Sequence, residues 1–237
     1  MPAVLVHGVP DTAELWDPIR SRLTRPDVVC PNLPGFASPL PDGFACTKEA
    51  YLGWLVGELE AIGEPVDLVG HDWGGLLTQR VATTRPELLR TWAIADGAMS
   101  PVFKWHELAT QWQTPGVGEQ IVELMTADAT AAALRDARHP DPEGAASRAD
   151  ETMRRAVLDL YRSAVDIAAE WSPRPGQPTP PACVFWGTHD PYAPPEFGQA
   201  AAELAGAPFL ELDAGHWSIF EHPDESVAAL ADLWRAP

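Results

Sequence analysis

Basic residues are scarce: 16 Lys and Arg stand against 34 Asp and Glu in 237 residues, for a formal charge of −18. A surface this acidic repels phosphate backbones and anionic headgroups, which argues against nucleic acid or a membrane as partner. Lysine occupies only positions 48 and 104. Cysteine is scarce too. Cys30, Cys46 and Cys183 show no CxxC spacing, and an odd number leaves no complete disulfide set, so a reducing cytoplasm fits best. No apolar run reaches the ~18 residues of a membrane span, and the first residues lack the basic segment of a secretion signal, so a soluble cytoplasmic protein is expected. A glycine-rich phosphate loop, a metal-ligand cluster and an internal repeat are all missing, and neither cofactor nor metal is expected.

The chain is 46% hydrophobic and 21% charged, enough for one α/β domain with a sizeable core and an insertion. Short apolar runs at 3–6, 27–30, 91–95, 181–186 and 208–212 read as buried strands. Helical patterns separate them, among them 47–61, with Tyr51, Leu55 and Leu59 on one face, and 223–234. This alternation predicts a mainly parallel sheet flanked by helices, with function at the strand C-terminal ends. From 98 to 178 the rhythm changes to helices at 104–113, 118–126, 129–137 and 151–171, followed by a proline-rich return. That segment reads as a helical cap on a core formed by 1–97 and 179–237. Its tryptophans, Trp105, Trp112 and Trp171, would line or anchor an apolar pocket.

The stretch from Val66 to Leu77 organises the rest. An apolar run leads into Gly70-His71-Asp72-Trp73-Gly74-Gly75 and then a helical pattern, which describes a strand, a sharp turn and a helix with an acid at the apex. Such an apex holds its residue at or near positive φ, tolerable only if Gly70 and Gly74 let strand and helix pass closely. A serine here would need a base to remove its proton, whereas Asp72 is already an anion. A fixed carboxylate can displace a leaving group from saturated carbon, giving an ester that water then hydrolyses. Helix capping by Asp72 is the plainer alternative.

Two further side chains follow strands in the order nucleophile, acid, histidine: Asp190 after 181–186 and His216 after 208–212. His216 would activate water as general base while Asp190 holds its tautomer; Asp96, also after a strand, is the rival acid. The backbone N–H groups of Val9 and Trp73 would form an oxyanion hole. His7, before Gly8 at a strand end, is expected to hold its loop by hydrogen bonds.

With His7-Gly8-Val9-Pro10, the Asp72 turn, Asp190 and Gly215-His216-Trp217 assembled, the chain resembles the α/β-hydrolase superfamily. Within it, the chain is similar to the epoxide hydrolase and haloalkane dehalogenase branch, which uses an aspartate nucleophile. The stretches 112–117 and 160–163 resemble cap segments of soluble epoxide hydrolases. In that family two cap tyrosines bind the epoxide oxygen and protonate it, and Tyr161 matches one. Where the other is expected stands Gln111, followed by Trp112, and an amide is a far weaker acid than a phenol. Gln111, Trp112, Trp105 and Pro10 are expected to contact substrate. Dehalogenases of this branch cradle halide with indole or amide N–H groups; Trp73 and Trp112 could serve, although Val9 replaces an asparagine found in one group. Two N-terminal strands common in the superfamily are missing, which leaves the edge at 27–30 open and a homodimer through it conceivable.

The resemblance implies a cofactor-free hydrolase that takes a small apolar epoxide and water to a vicinal diol through an ester on Asp72. Haloalkane dehalogenase is the runner-up, and a ligand-binding member of the fold without turnover is the alternative from another class.

Overall fold

Alternate residues along each strand enter different apolar clusters, so the sheet is covered on both faces. Val4, Val6, Leu68, Trp92, Ile94, Val184 and Trp186 join one cluster, whereas Ala3, Leu5, Val69, Ala93, Ala95, Cys183 and Phe185 join the other. The computed structural model describes residues 1–235. Its strands are β1 (Ala3–Val6), β2 (Val28–Val29), β3 (Val66–His71), β4 (Leu89–Ala95), β5 (Ala182–Gly187) and β6 (Phe209–Leu212). They pair in the order β2-β1-β3-β4-β5-β6, every pairing parallel. The parallel sheet bears out the fold expected from the alternation, and parallel register brings all C-terminal strand ends to one edge.

Twelve α-helices follow among the described residues. In the first half of the chain come α1 (Asp17–Arg20), α2 (Lys48–Ile62) and α3 (Trp73–Thr84). Between β4 and β5 run α4 (Glu107–Gln113), α5 (Val117–Leu124), α6 (Ala127–Asp136), α7 (Pro142–Arg148), α8 (Glu151–Arg162) and α9 (Ile167–Trp171). The last three are α10 (Pro195–Ala205), α11 (Ser218–Glu221) and α12 (Pro223–Trp234), the last with the bounds its pattern predicted. Helix α2 is framed by Thr47, whose hydroxyl accepts from the Ala50 N–H, and by Gly63 at φ 80°. None of the described helices is long and apolar enough to cross a membrane.

The inserted helices differ from expectation in two places. The pattern predicts one helix over 151–171, but α8 stops at Arg162 and α9 starts at Ile167. Lys48 bonds at the break: its backbone N–H donates to Ser163 Oγ (2.8 Å) and its Nζ to the Ser163 carbonyl (2.6 Å), one of the helix-end carbonyls that need an outside donor. Helix α7 was not expected, although Asp141 caps it through the Gly144 N–H (3.1 Å) and Pro142 fills its first turn. Many apolar residues of the insert, Ala109, Met153, Val157 and Tyr161 among them, share one cluster with the core, while Leu134 and Ala145 join the other.

Candidate active site

Asp72 sits between β3 and α3 at φ 50° and ψ −120°, where a side chain is strained. The two flanking glycines are required by close approach. A Cβ on Gly70 would lie 2.0 Å from the Gly74 carbonyl oxygen, and one on Gly74 would lie 2.1 Å from that of Val6. This turn lifts the Asp72 carboxylate off the end of the sheet. The Val9 N–H donates to its Oδ1 at 2.7 Å, and its Oδ2 lies 3.5 Å from Nε2 of His216. The two carboxylate oxygens thus have separate environments.

His216 follows β6, and its Nδ1 contacts Asp190 Oδ2 at 2.8 Å. Asp190 is held in turn by the backbone N–H groups of Tyr192 and Ala193, both donating to its Oδ1 (2.8 and 3.0 Å). Asp96 is buried beside them but bonded to other groups, accepting from the Gly187 N–H (2.8 Å) and from the N–H and hydroxyl of Ser218 (3.0 and 2.6 Å). Of the two rival acids, Asp190 is the one bonded to the histidine. Burial and the nearby Asp190 charge push the Asp96 carboxyl well above the usual range.

Charge on Asp72 and His216 follows from these contacts. Burial opposes ionisation of both Asp72 and His216, but each favours the charged form of the other. Asp72 ends below its ordinary value, helped by the Val9 N–H, and His216 ends well above its own, because Asp190 adds a second negative neighbour. His71, buried beneath them, is pushed down to about 4 by burial and by the His216 charge. It is neutral at pH 7 and donates from Nε2 to the His216 carbonyl (2.8 Å). His7 holds its loop, accepting the Leu33 N–H at Nε2 (3.0 Å) and contacting the Gly8 carbonyl through Nδ1 (2.8 Å).

Above Asp72 lies a cavity of about 320 Å³ between the strand ends and the inserted helices. Asp72, His216 and Pro10 line its floor, and Trp105, Trp112 and Tyr161 belong to its roof. The Tyr161 ring packs on those of Trp73, Trp105 and Trp112, with centroids 5.4, 5.1 and 4.8 Å away. Burial and the Asp72 charge raise its phenol well above the ordinary value, so it stays protonated. The Trp105 indole N–H donates to the Ala164 carbonyl (2.9 Å), whereas the buried indole N–H groups of Trp73 and Trp112 have no partner among the described residues.

One expectation fails. Gln111 does not line the cavity; its amide turns back along α4 to Glu107 (3.3 Å). One residue is about 100° of helix rotation, so with Trp112 facing inward its neighbour is carried off the cavity. Among the lining residues that the sequence did not single out are two able to hydrogen-bond a ligand, His106 and Tyr192. For Tyr192 the Asp-Pro-Tyr run after β5 was a usable signal, while periodicity gave none for His106, which precedes its helix.

A sequence model of the "Alpha/beta hydrolase family" matches residues 3–230. The chain belongs to that family. It is 30% identical over 98 residues to an (E)-2-((N-methylformamido)methylene)succinate hydrolase of Acinetobacter baylyi, covering 40% of this chain and 37% of that protein. It is 36% identical over 100 residues to epoxide hydrolase 2 of Siraitia grosvenorii, covering 38% and 30%. These two matches therefore span only about a third of each relative. Among solved structures, 2-hydroxy-6-oxo-6-phenylhexa-2,4-dienoate hydrolase from Rhodococcus superposes with a TM-score of 0.80 at 20% identity (99% of this chain, 91% of the other). Haloalkane dehalogenase DbeA from Bradyrhizobium elkani gives 0.76 at 19% (100% and 91%), and epoxide hydrolase A from Mycobacterium thermoresistibile 0.74 at 22% (99% and 91%). At these identities the structural likeness concerns the fold alone, and the family spans several reactions.

Proposed function

We propose that this α/β hydrolase opens a small apolar epoxide to a vicinal diol through an ester on Asp72, with the helices over 98–178 acting as its cap. The observation that carries the reading is the split environment of the Asp72 carboxylate, one oxygen fixed by the Val9 N–H and the other beside His216 in an apolar cavity with a protonated phenol. Similarity to the Siraitia epoxide hydrolase supports it.

In the first step Oδ2 attacks a ring carbon, the C–O bond breaks, and Tyr161 gives its proton to the departing oxygen. Oδ1 becomes the ester carbonyl and keeps the Val9 N–H as oxyanion donor, with the Trp73 N–H at the head of α3 as the second. Esterification removes the Asp72 charge and with it one of the two carboxylates that keep His216 protonated. The imidazolium then gives its proton, by way of solvent, to the Tyr161 phenolate and becomes a base when the ester forms. It takes a proton from water, the water oxygen adds to the ester carbon, and the diol oxygen leaves with the proton from His216. The re-formed carboxyl of Asp72 loses a proton by way of solvent, which restores the imidazolium of His216.

His216→Gln tests the mechanism: with epoxide it should accumulate protein heavier by the mass of the substrate, on the peptide containing Asp72. No adduct in that variant, together with full turnover in Asp72→Ala, would end the proposal.

The partnerless indole N–H of Trp112, which lines the cavity, favours a second reading, haloalkane hydrolysis, since such a donor suits a departing halide. Halide release without diol formation on one purified sample would decide for it.

A further inference from the structure

Tyr161 and Trp112 come from the inserted helices and were expected at the site; His106 comes from the same insert and the scheme above leaves it without a role. It sits just before α4, with its ring lining the cavity alongside Asp72, His216 and Tyr161. The ring centroid lies 5.2 Å from that of Tyr192 and 6.4 Å from that of Tyr161.

Its protonation pattern is set by the backbone. The Ala109 N–H donates to Nδ1 (3.1 Å), which requires a lone pair on that nitrogen. In the neutral ring the single N–H must then be on Nε2, the edge away from α4. No protein acceptor for Nε2 is found among the described residues. Burial, with the His216 charge, lowers the imidazole to about 4 despite the nearby Asp72 and Asp190 charges, so the ring is neutral at pH 7. A neutral imidazole fixed in this way can polarise a substrate oxygen without first losing a proton to Asp72.

We propose that His106 is a catalytic residue for ring opening: its Nε2–H donates a hydrogen bond to the epoxide oxygen as the C–O bond breaks, in the role for which Gln111 is misplaced. This rests on the epoxide reading. The bond forming is Asp72 Oδ2 to carbon, and the electron pair of the broken C–O bond stays on oxygen. Tyr161 supplies the proton; His106 keeps its own and stabilises the charge while it develops. Because that charge is gone once the ester exists, His106 matters for the first step and not for the second. A structural contribution would act on both.

Two variants separate the functions of the ring. His106→Ser keeps an oxygen for the Ala109 N–H and removes the cavity donor, whereas His106→Gln keeps an N–H that reaches the Nε2 position. Rapid-quench measurement with styrene oxide gives the rates of ester formation and ester hydrolysis separately. In His106→Ser, ester formation is expected to slow by about 100-fold, the scale of a lost oxyanion donor, with hydrolysis unchanged. His106→Gln should recover most of that loss. Ester formation at the wild-type rate in His106→Ser, equal slowing of both steps, or a His106→Gln variant as slow as His106→Ser would each overturn the proposal. Failure of the wild type to form any diol from styrene oxide or an aliphatic epoxide would instead remove the epoxide reading itself, and with it the role assigned to His106.

Discussion

Strand β3 carries a buried aspartate near its start and leads into a half-buried one, and the two are treated in opposite ways. The Asp67 carboxylate accepts from Arg25 Nη1 (2.8 Å), from Arg90 Nη2 and from the Thr91 hydroxyl (2.7 Å), with its side chain fully buried. Two guanidiniums and a hydroxyl occupy its lone pairs. Asp72, five residues on, receives one backbone N–H and stands 3.5 Å from an imidazole. At the N-terminal end of the sheet the charge is saturated and inert; at the C-terminal end the carboxylate is held in place with lone pairs to spare. How many donors meet a carboxylate thus decides whether it is structural or, as proposed for Asp72, reactive.

Exchanging the reactive member should have the largest effect. In Asp72→Asn the amide no longer displaces a leaving group, and turnover should fall by about 10⁴-fold or more, as when a nucleophile is removed elsewhere. Asparagine tolerates positive φ, so the thermal midpoint should not fall. Residual turnover above one part in a hundred of wild type, by diol assay on desalted protein, would break the contrast.

The inert member should show the reverse. Asp67→Ala leaves Arg25 and Arg90 without their buried partner. Such a loss costs about 3 to 5 kcal/mol for a fully buried pair, and about 3 here because both guanidiniums reach solvent. Urea unfolding should register this, with activity per folded molecule preserved. A fall in activity without a fall in stability would show that the two ends are coupled.

The smallest effect concerns a third buried carboxylate, Asp11, beside the site. Its Oδ1 meets His139 Nε2 (2.7 Å) and its Oδ2 accepts the Trp217 indole N–H (3.0 Å), tying the Val9 loop to the inserted helices and to the His216 loop. Burial alone would raise its pKa, but these partners hold it down to about 2 from an ordinary 3.8. A depressed carboxylate contributes stability above its unfolded value and loses it as the pH falls through its folded one. Roughly 2 kcal/mol should therefore disappear between pH 4 and 2, on the scale of 1.36 kcal/mol per pKa unit. In Asp11→Asn that part of the acid loss should be absent from denaturant melts; an unchanged acid slope would refute the assignment.

Much of the site was legible because its signals are local. Asp72, Asp190 and His216 each follow a strand, and strand alternation and the glycines at 70 and 74 are read from neighbours in the chain. The roof was less legible. Trp112 and Gln111 are adjacent in sequence, yet only Trp112 lines the cavity, because rotation of α4 is fixed by what it packs on. His106 differs from an ordinary polar residue only through the Ala109 N–H and the cavity beside it. The break between α8 and α9 is met by Lys48, 115 residues away from Ser163.

The amino-acid sequence by itself determined the parallel sheet, the strained turn at Asp72 and the chain order of the three side chains, since turn stereochemistry and strand periodicity act between near neighbours. Only the tertiary structure decided which acid meets His216, that Gln111 turns away and that His106 faces the cavity. Those outcomes depend on segments far apart in the chain meeting within hydrogen-bonding distance, and no local pattern encodes that approach.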